Sequence, residues 1–170
     1  MAEEVSQREK RLTMSVLMTP DKANFSGNVH GGEMLKMLDE VADACASRYS
    51  GNYVVTLSVD QVVFKQPVRI GELVTFLATV NFTGRTSLEV GVKVVAENIQ
   101  KRSCRHTNSC YFTMVAINEN GKPVPVEPVE PVVLDNPEDR RRHEGAKRRR
   151  EFRREIQQRN EQIRESCEGR

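Results

Sequence analysis

One stretch of helical periodicity, lying among five stretches of strand periodicity, restricts this chain to a mixed fold. Apolar residues alternate with other residues in five segments: Leu12 to Met18, Val55 to Val59, Val74 to Phe82, Leu88 to Val94 and Cys110 to Ala116. Such alternation is typical of half-buried strands. Between the first two segments, apolar residues fall at positions 34, 35, 38, 41, 42 and 45, which share one face at 3.6 residues per turn. The pattern predicts an α+β fold in which a sheet wraps around a helix over residues 31–49.

The character of the sequence changes near residue 122. Five of the seven prolines fall within residues 123–137, which predicts an extended, non-helical border. We therefore expect four parts: an N-terminal lead (1–11), a folded domain (12–126), a proline-rich border (127–137) and a charged helical tail (138–170). In the tail, Phe152, Ile156 and Ile163 recur at helical spacing, which indicates a solvated helix or a short coiled contact with a neighbouring subunit.

Composition argues against several classes of function. The 26 Lys+Arg against 24 Asp+Glu give a net charge of +2, so we expect no nucleic-acid partner. No apolar run approaches the length of a membrane span and the first residues lack the layout of a secretory signal, so we expect a cytoplasmic protein without a membrane partner. The cysteines at positions 45, 104, 110 and 167 show no metal-binding spacing. We expect inert thiols and no metal ion.

His30, Gly31 and Gly32 stand at the start of the predicted helix. Unpaired backbone N–H groups and the positive end of the helix dipole lie at such a position, and glycine lets a carbonyl group approach the backbone closely. This arrangement is suited to an oxyanion, although the same glycines also permit a tight turn. No GxSxG or GxGxxG motif is present, and no serine or cysteine is placed with His30 as a nucleophile.

Two further polar residues are candidates for chemistry. Asp39 falls at the margin of the apolar helix face, where cover by another subunit would partly desolvate it and make it a better general base. A solvated surface aspartate is the alternative. Asn24 is a neutral amide that can orient a water or a carbonyl group, or can hold a turn.

Four blocks in a fixed order carry a family resemblance: PDKANFSGNVHGGEMLKMLDEVA, SVDQVVFKQPVRIGE, FTGRTSLEVGVKV and TNSCYFTMVAI. From about Leu12 to about Pro125 the chain resembles the hotdog-fold acyl-CoA hydrolases, in particular the bacterial YciA-like and animal brain-type cytosolic thioesterases. The resemblance implies a hotdog fold, with a long central helix wrapped by a five- to six-stranded antiparallel sheet. It implies hydrolysis of acyl-CoA to a free fatty acid and coenzyme A. The charged tail is not covered by it.

The resemblance also implies roles for individual residues. Asp39 would activate water or attack the carbonyl carbon directly to form an anhydride, and Asn24 from the other subunit of a dimer would orient water or substrate. The thioester carbonyl would face the N–H groups of Gly31 and Gly32, beside His30. Coenzyme A contacts are implied for Arg85 first, with Thr86, Ser87 and Lys65, and acyl contacts for Met34, Leu38 and Val59. Coenzyme A is part of the substrate, so no separate cofactor is expected.

Relatives commonly form trimers of dimers, so we expect a homo-oligomer that is at least a dimer, with a hexamer as the best guess.

Two functions other than acyl-CoA hydrolysis are alternatives. A non-catalytic acyl-CoA sensor is one, because a fold does not fix a function. A hotdog dehydratase is another, and it would need a histidine base, for which His30 is the candidate in the right loop.

Overall fold

The structure, a computed structural model, describes residues 8–129 and 136–168, with side chains described as far as residue 166. Most of the predicted N-terminal lead, half of the predicted proline-rich border and the end of the tail lie outside the described residues. The chain divides into two compact units, Met1–Pro128 and Val129–Arg170. Each unit is described separately below.

Residues 8–128, the described part of the first unit, form five strands and one long helix. In chain order they are β1 (Arg11–Leu17), α1 (Gly31–Ser50), β2 (Tyr53–Val59), β3 (Leu73–Thr83), β4 (Ser87–Asn98) and β5 (Ser103–Ile117). A single 3-10 turn, Pro20–Lys22, follows β1. The strands form one antiparallel sheet in the order β1-β3-β4-β5-β2. The predicted α+β fold and its central helix are confirmed, and the sheet of the described chain has five strands.

The core lies between α1 and one face of the sheet. The helix buries Met34, Met37, Leu38, Val41, Ala42, Cys45, Ala46 and Tyr49. The facing side chains come from alternate positions of the inner strands, such as Phe76, Val90 and Phe112. Each fully buried side chain of this size stabilises the fold by about 1.5–3 kcal/mol. Cys45 and Cys110 are buried as expected, and burial raises the pKa of both thiols to about 12.

The buried face of α1 differs from the prediction at one margin. Leu35 was placed on the buried stripe, but 40% of its surface is exposed. Met37 and Ala46 are buried instead, so the contact with the sheet is centred slightly further round the helix. Since Leu35 precedes Asp39 by one turn, both side chains lie at the same border of the core. The helix ends at Gly51, whose left-handed φ of 67° suits glycine.

The strand β2 forms one edge of the sheet. Its apolar residues Val55, Leu57 and Val59 were expected on a half-buried face, yet they are exposed in the single chain, Leu57 to 67%. Val54 points to the core instead, and a bulge interrupts the pairing with β5 between Thr56 and Ser58. An edge strand with an exposed apolar face is a surface that proteins usually cover.

The second unit contains one helix, α2 (Pro137–Glu168). Pairs one turn apart, Arg142–Glu138 at 2.8 Å and Lys147–Glu144 at 3.1 Å, support it locally. Phe152, Ile156 and Ile163 are exposed. The predicted charged helix is confirmed. Within the described ranges, neither helix is long and apolar enough to cross a membrane.

Candidate active site

A cleft of about 540 Å³ opens beside α1. It is lined by Leu35, Lys36, Asp39, Val59, Asp60, Val62, Phe64 and Phe112. Phe112 is only 1% exposed and forms a closed wall, whereas Phe64 is 47% exposed at the opening. The lining is mostly apolar with charged groups from α1 and the residue after β2. Such a cleft suits a ligand with an apolar portion next to a reacting polar group.

Asp39 is half-buried in this cleft and is held by β2. The hydroxyl of Thr56 donates a hydrogen bond to Asp39 Oδ1 at 2.6 Å. Among the described residues none donates a hydrogen bond to Oδ2, so this oxygen is available to accept a proton. Sequence reasoning missed Thr56, because nothing in its local pattern shows that β2 lies beside this turn of the helix.

A second carboxyl group stands one turn further along α1. Burial, and then the charge of Asp39, raise the pKa of Asp43 above its usual value. Two carboxylates four residues apart on a helix repel one another. This part of the helix therefore has a negative potential that favours uptake of a proton.

The helix start is capped by its own histidine. Gly32 N–H donates to His30 Nδ1 at 2.9 Å. The Gly32 amide is thus engaged, and among the described residues the N–H of Gly31 has no partner. A neutral imidazole that accepts through Nδ1 carries its proton on Nε2. His30 therefore has no free basic nitrogen in this arrangement, so the geometry gives no support to a dehydratase with His30 as base.

Phe64 lines the cleft and lies next to the start of α1. A Cβ atom at position 31 would lie 3.8 Å from the Phe64 ring. A side chain larger than alanine at this position would meet the ring, so glycine keeps the first turn accessible from the cleft.

The loop before α1 turns the amide of Asn24 in one direction. Asn24 Oδ1 accepts hydrogen bonds from Ser26 N at 3.0 Å, Asn28 N at 3.1 Å and Ser26 Oγ at 2.8 Å. Gly27, with φ of 76°, completes the turn. With its oxygen directed into the loop, Asn24 presents its NH₂ group outward. It can therefore donate a hydrogen bond to a carbonyl oxygen or a water, but it is a poor acceptor.

A single protomer does not bring all the predicted site residues together. Asn24 does not line the cleft that contains Asp39. The predicted coenzyme A residues are also separated, since Lys65 N bonds to Thr107 O and Ala116 N to Thr86 O. These contacts lie nine residues apart along β5, which is roughly 30 Å. None of Lys65, Arg85, Thr86 and Ser87 lines the cleft.

One of the three predicted acyl contacts lines this cleft. Val59 lines it, but Met34 and Leu38 are buried in the core behind it and do not. The exposed margin of α1 at Leu35 takes their place, because the helix is rotated relative to the predicted stripe. Among the described residues no group of three His, Cys, Asp or Glu side chains could hold a metal ion.

Comparison with known proteins places this geometry in a family. A model of the thioesterase superfamily matches residues 26–103. Protein VdlD of Helicobacter pylori is 52% identical over 143 residues, which cover 84% of this chain and 80% of that protein. A hexameric acyl-CoA thioesterase solved in its apo form is 36% identical, with a TM-score of 0.82 over 86% of this chain and 92% of its own. This chain belongs to the acyl-CoA thioesterase family. Its fold is the hotdog fold.

An acyl-CoA hydrolase of Staphylococcus aureus gives a further comparison for the thioesterase. It was solved with butyryl-CoA, coenzyme A and coenzyme A disulfide, and is 26% identical with a TM-score of 0.83, covering 94% of this chain and 95% of its own. Alanine variants of that enzyme were also solved at an asparagine, at an aspartate fifteen residues later and at a threonine seventeen residues after that. Asn24, Asp39 and Thr56 have the same spacing here.

Proposed function

We propose that this thioesterase hydrolyses acyl-CoA to a free fatty acid and coenzyme A by direct attack of water. Asp39 accepts a proton from the water molecule while the water oxygen forms a bond to the thioester carbonyl carbon. The tetrahedral oxyanion then collapses, the carbon–sulfur bond breaks, and coenzyme A leaves as a thiolate that takes up the proton held by Asp39, which restores the base. The sequence offers no nucleophile motif, and this route requires no covalent intermediate.

The observation that carries the proposal is the placement of Asp39. Its carboxylate is half-buried in a mostly apolar cleft, with one oxygen fixed by Thr56 at 2.6 Å. A fixed, partly desolvated carboxylate is a better base than a mobile solvated one, because less reorganisation is needed when the proton is transferred. The shared Asn–Asp–Thr spacing with the S. aureus hydrolase supports the same assignment.

Two kinds of donor are proposed for the oxyanion. The first is the N–H of Gly31 at the helix start, to which the Gly32 N–H would be added if the His30 ring turned away. The second is the outward NH₂ group of Asn24. Because Asn24 does not line the cleft of its own protomer, we assign it to the site of a partner subunit. This assignment requires a dimer.

The substrate's acyl chain is proposed to lie against the apolar lining of the cleft, between Leu35, Phe64 and Phe112. For the coenzyme A portion we keep Arg85, Thr86, Ser87 and Lys65. Since Lys65 and the Arg85 turn lie roughly 30 Å apart along β5, the phosphates of one coenzyme A would be held by groups from two protomers.

The proposed assembly is a dimer, repeated as a trimer of dimers. The exposed apolar face of the edge strand β2 supports the dimer, because pairing would bury it. The hexameric state of the 36% identical thioesterase supports the larger assembly. A cytoplasmic location is proposed as well, and the free, exposed thiol of Cys104 is in keeping with a reducing compartment.

Thiol release from butyryl-CoA by the intact oligomer tests the activity and the base together. We expect Asp39→Asn to lower kcat by about 10²–10⁴-fold, the usual contribution of a general base, with an unchanged melting temperature. Glu40→Gln is the matched control, because its exposed side chain is the next one on the same helix.

Three results of these assays would contradict the proposal, and each one indicates a different alternative. A folded Asp39→Asn enzyme that retains most of its rate would show that another group is the base. Binding of butyryl-CoA without any thiol release by the wild-type protein would identify a sensor. With 3-hydroxybutyryl-CoA as the substrate, loss of water to give an unsaturated thioester in place of free acid would identify a dehydratase.

A further inference from the structure

The loop that carries Asn24 is attached to the domain through the turn formed by residues 67–72. Val29 N donates to Val68 O at 2.8 Å, and Asn28 forms an antiparallel bridge with Arg69. Val29 and Val68 are both buried. Within the loop, Asn24 N donates to Asn28 O at 2.7 Å. The position of Asn24 therefore depends on where the 67–72 turn lies.

This turn is held by a partly buried ion pair between Glu72 and Arg105 of β5. Arg105 Nη1 and Nη2 donate to Glu72 Oε1 and Oε2, both at 2.7 Å, and Nη2 also donates to Pro67 O at 2.7 Å. Glu72 Oε2 accepts from Arg69 N at 2.9 Å. Glu72 is 3% exposed. A two-pronged Arg–carboxylate contact fixes direction as well as distance, so one guanidinium holds both ends of the turn.

Both groups of the pair stay charged near neutral pH. The Arg105 guanidinium holds the pKa of Glu72 below its usual value, and Glu72 raises the pKa of Arg105. Removing Arg105 would leave the Glu72 carboxylate without its charged partner, and the turn would shift as water replaced the guanidinium contacts. The turn and the loop paired with it would then move together.

We propose that Glu72 and Arg105 are positioning residues for Asn24. The contacts run from Arg105 to Glu72, through the 67–72 turn to Asn28 and Val29, and from there to Asn24. The inference rests on the proposed role of Asn24 in the reaction. Neither residue of the pair lines the cleft or touches Asp39, so their effect on the chemical step passes through the loop.

A double-mutant cycle with butyryl-CoA tests the pair, measured well below the lowest melting temperature of the set. We expect Arg105→Gln to lower kcat by about 10- to 100-fold, the loss that a misplacement near 1 Å produces. In the Asn24→Ala background the same substitution should lower kcat no further. Arg105→Lys, which keeps the charge without the two-pronged contact, should show the same pattern with a smaller loss.

A matched control is the exposed pair formed by Arg48 and Glu9. Arg48→Gln removes an arginine–glutamate contact outside the loop and should leave kcat unchanged. The inference is overturned if Arg105→Gln or Arg105→Lys lowers the melting temperature without changing kcat. It is also overturned if the losses are equal in both backgrounds, since a general structural defect would act whether or not Asn24 is present. If Asn24→Ala alone costs no rate, the proposed role of Asn24 fails and the inference fails with it.

Discussion

The amide of Asn24 has its oxygen directed into its own loop and its nitrogen directed outward. Three donors of the loop converge on Oδ1, so the free NH₂ group is the one that can meet a substrate. Asp39 has the complementary character, since Thr56 holds one of its carboxylate oxygens and the other can accept a proton. The two side chains therefore have opposite hydrogen-bonding roles, which suits a donor for the oxyanion and a base for the water.

The substitution Asn24→Asp tests this division. An aspartate can accept the same loop hydrogen bonds, but it has no NH₂ group and would place a negative charge near the developing oxyanion. We expect kcat/KM to fall by about 10²–10³-fold, as for loss of one oxyanion donor. The measurement is steady-state thiol release.

Asn118→Asp is the control for Asn24→Asp. Asn118 Oδ1 accepts the N–H groups of Asn120 and Lys122 in a turn of the same kind, away from the cleft. This variant should retain wild-type rates. If Asn24→Asp also retains them, Asn24 does not act as a donor.

Among the elements of the fold, the helix α1 has a different role in each part of its length. Its first turn keeps the Gly31 amide open, its buried face holds the sheet, and its margin carries Asp39 and Asp43. The ionised Asp43 carboxylate opposes folding slightly, because burial and the charge of Asp39 raise its pKa.

The raised pKa of Asp43 predicts a pH-dependent gain from Asp43→Asn. A carboxyl whose pKa is higher in the folded state opposes folding when it is ionised, and this effect disappears below its ordinary pKa of 3.8. We expect Asp43→Asn to raise the melting temperature slightly at pH 7, with the difference vanishing as the pH falls through the carboxyl range.

Glu40→Gln gives the comparison for this element, because Glu40 lies on the exposed side of the same helix. It should change the melting temperature less than Asp43→Asn at pH 7. A gain from Asp43→Asn that persisted unchanged at acid pH would show that the charge of Asp43 is not its cause.

At the scale of the whole molecule, one chain presents an incomplete site. The cleft with Asp39, the loop with Asn24 and the turn with Arg85 do not converge in a single protomer, and the apolar face of β2 stays exposed. A second copy paired along β2 would bury that face, and the proposed function needs such a copy. Catalysis and assembly should therefore be lost together.

Leu57→Lys tests this coupling. A charge on the exposed apolar face of the edge strand should prevent pairing without affecting the core of the protomer. We expect light scattering to show a smaller species, and thiol release per protomer to fall at least as steeply as the fraction of assembled protein. Ile99→Lys, a similar change in the turn between β4 and β5, should retain the assembly. A fully active monomeric Leu57→Lys protein would contradict the shared site.

A feature of the fold or the site could be predicted from the sequence where the residues that determine it are close together along the chain. The helix over residues 31–49 was predicted to within one residue, because its periodicity and its glycine-rich start are local features. The strands were found for the same reason. Asn24 and Asp39 were candidates from their positions and chemistry, and the family resemblance supplied their roles. Thr56, Glu72 and Arg105 were missed, because their partners lie 17 and 33 residues away along the chain.

The sequence by itself determined the elements, their order and the residue types from which a thioesterase site is made. Periodicity and turn preferences depend on residues that are close together in the chain, so they can be recognised in the sequence. Only the tertiary structure decided that Leu35 borders the cleft while Met34 and Leu38 remain in the core. Only it decided that the oxygen of Asn24 is directed inward, and that Arg105 holds the turn beneath the Asn24 loop. Those outcomes depend on the rotation of a helix and on distances between distant segments, which packing of the whole core sets.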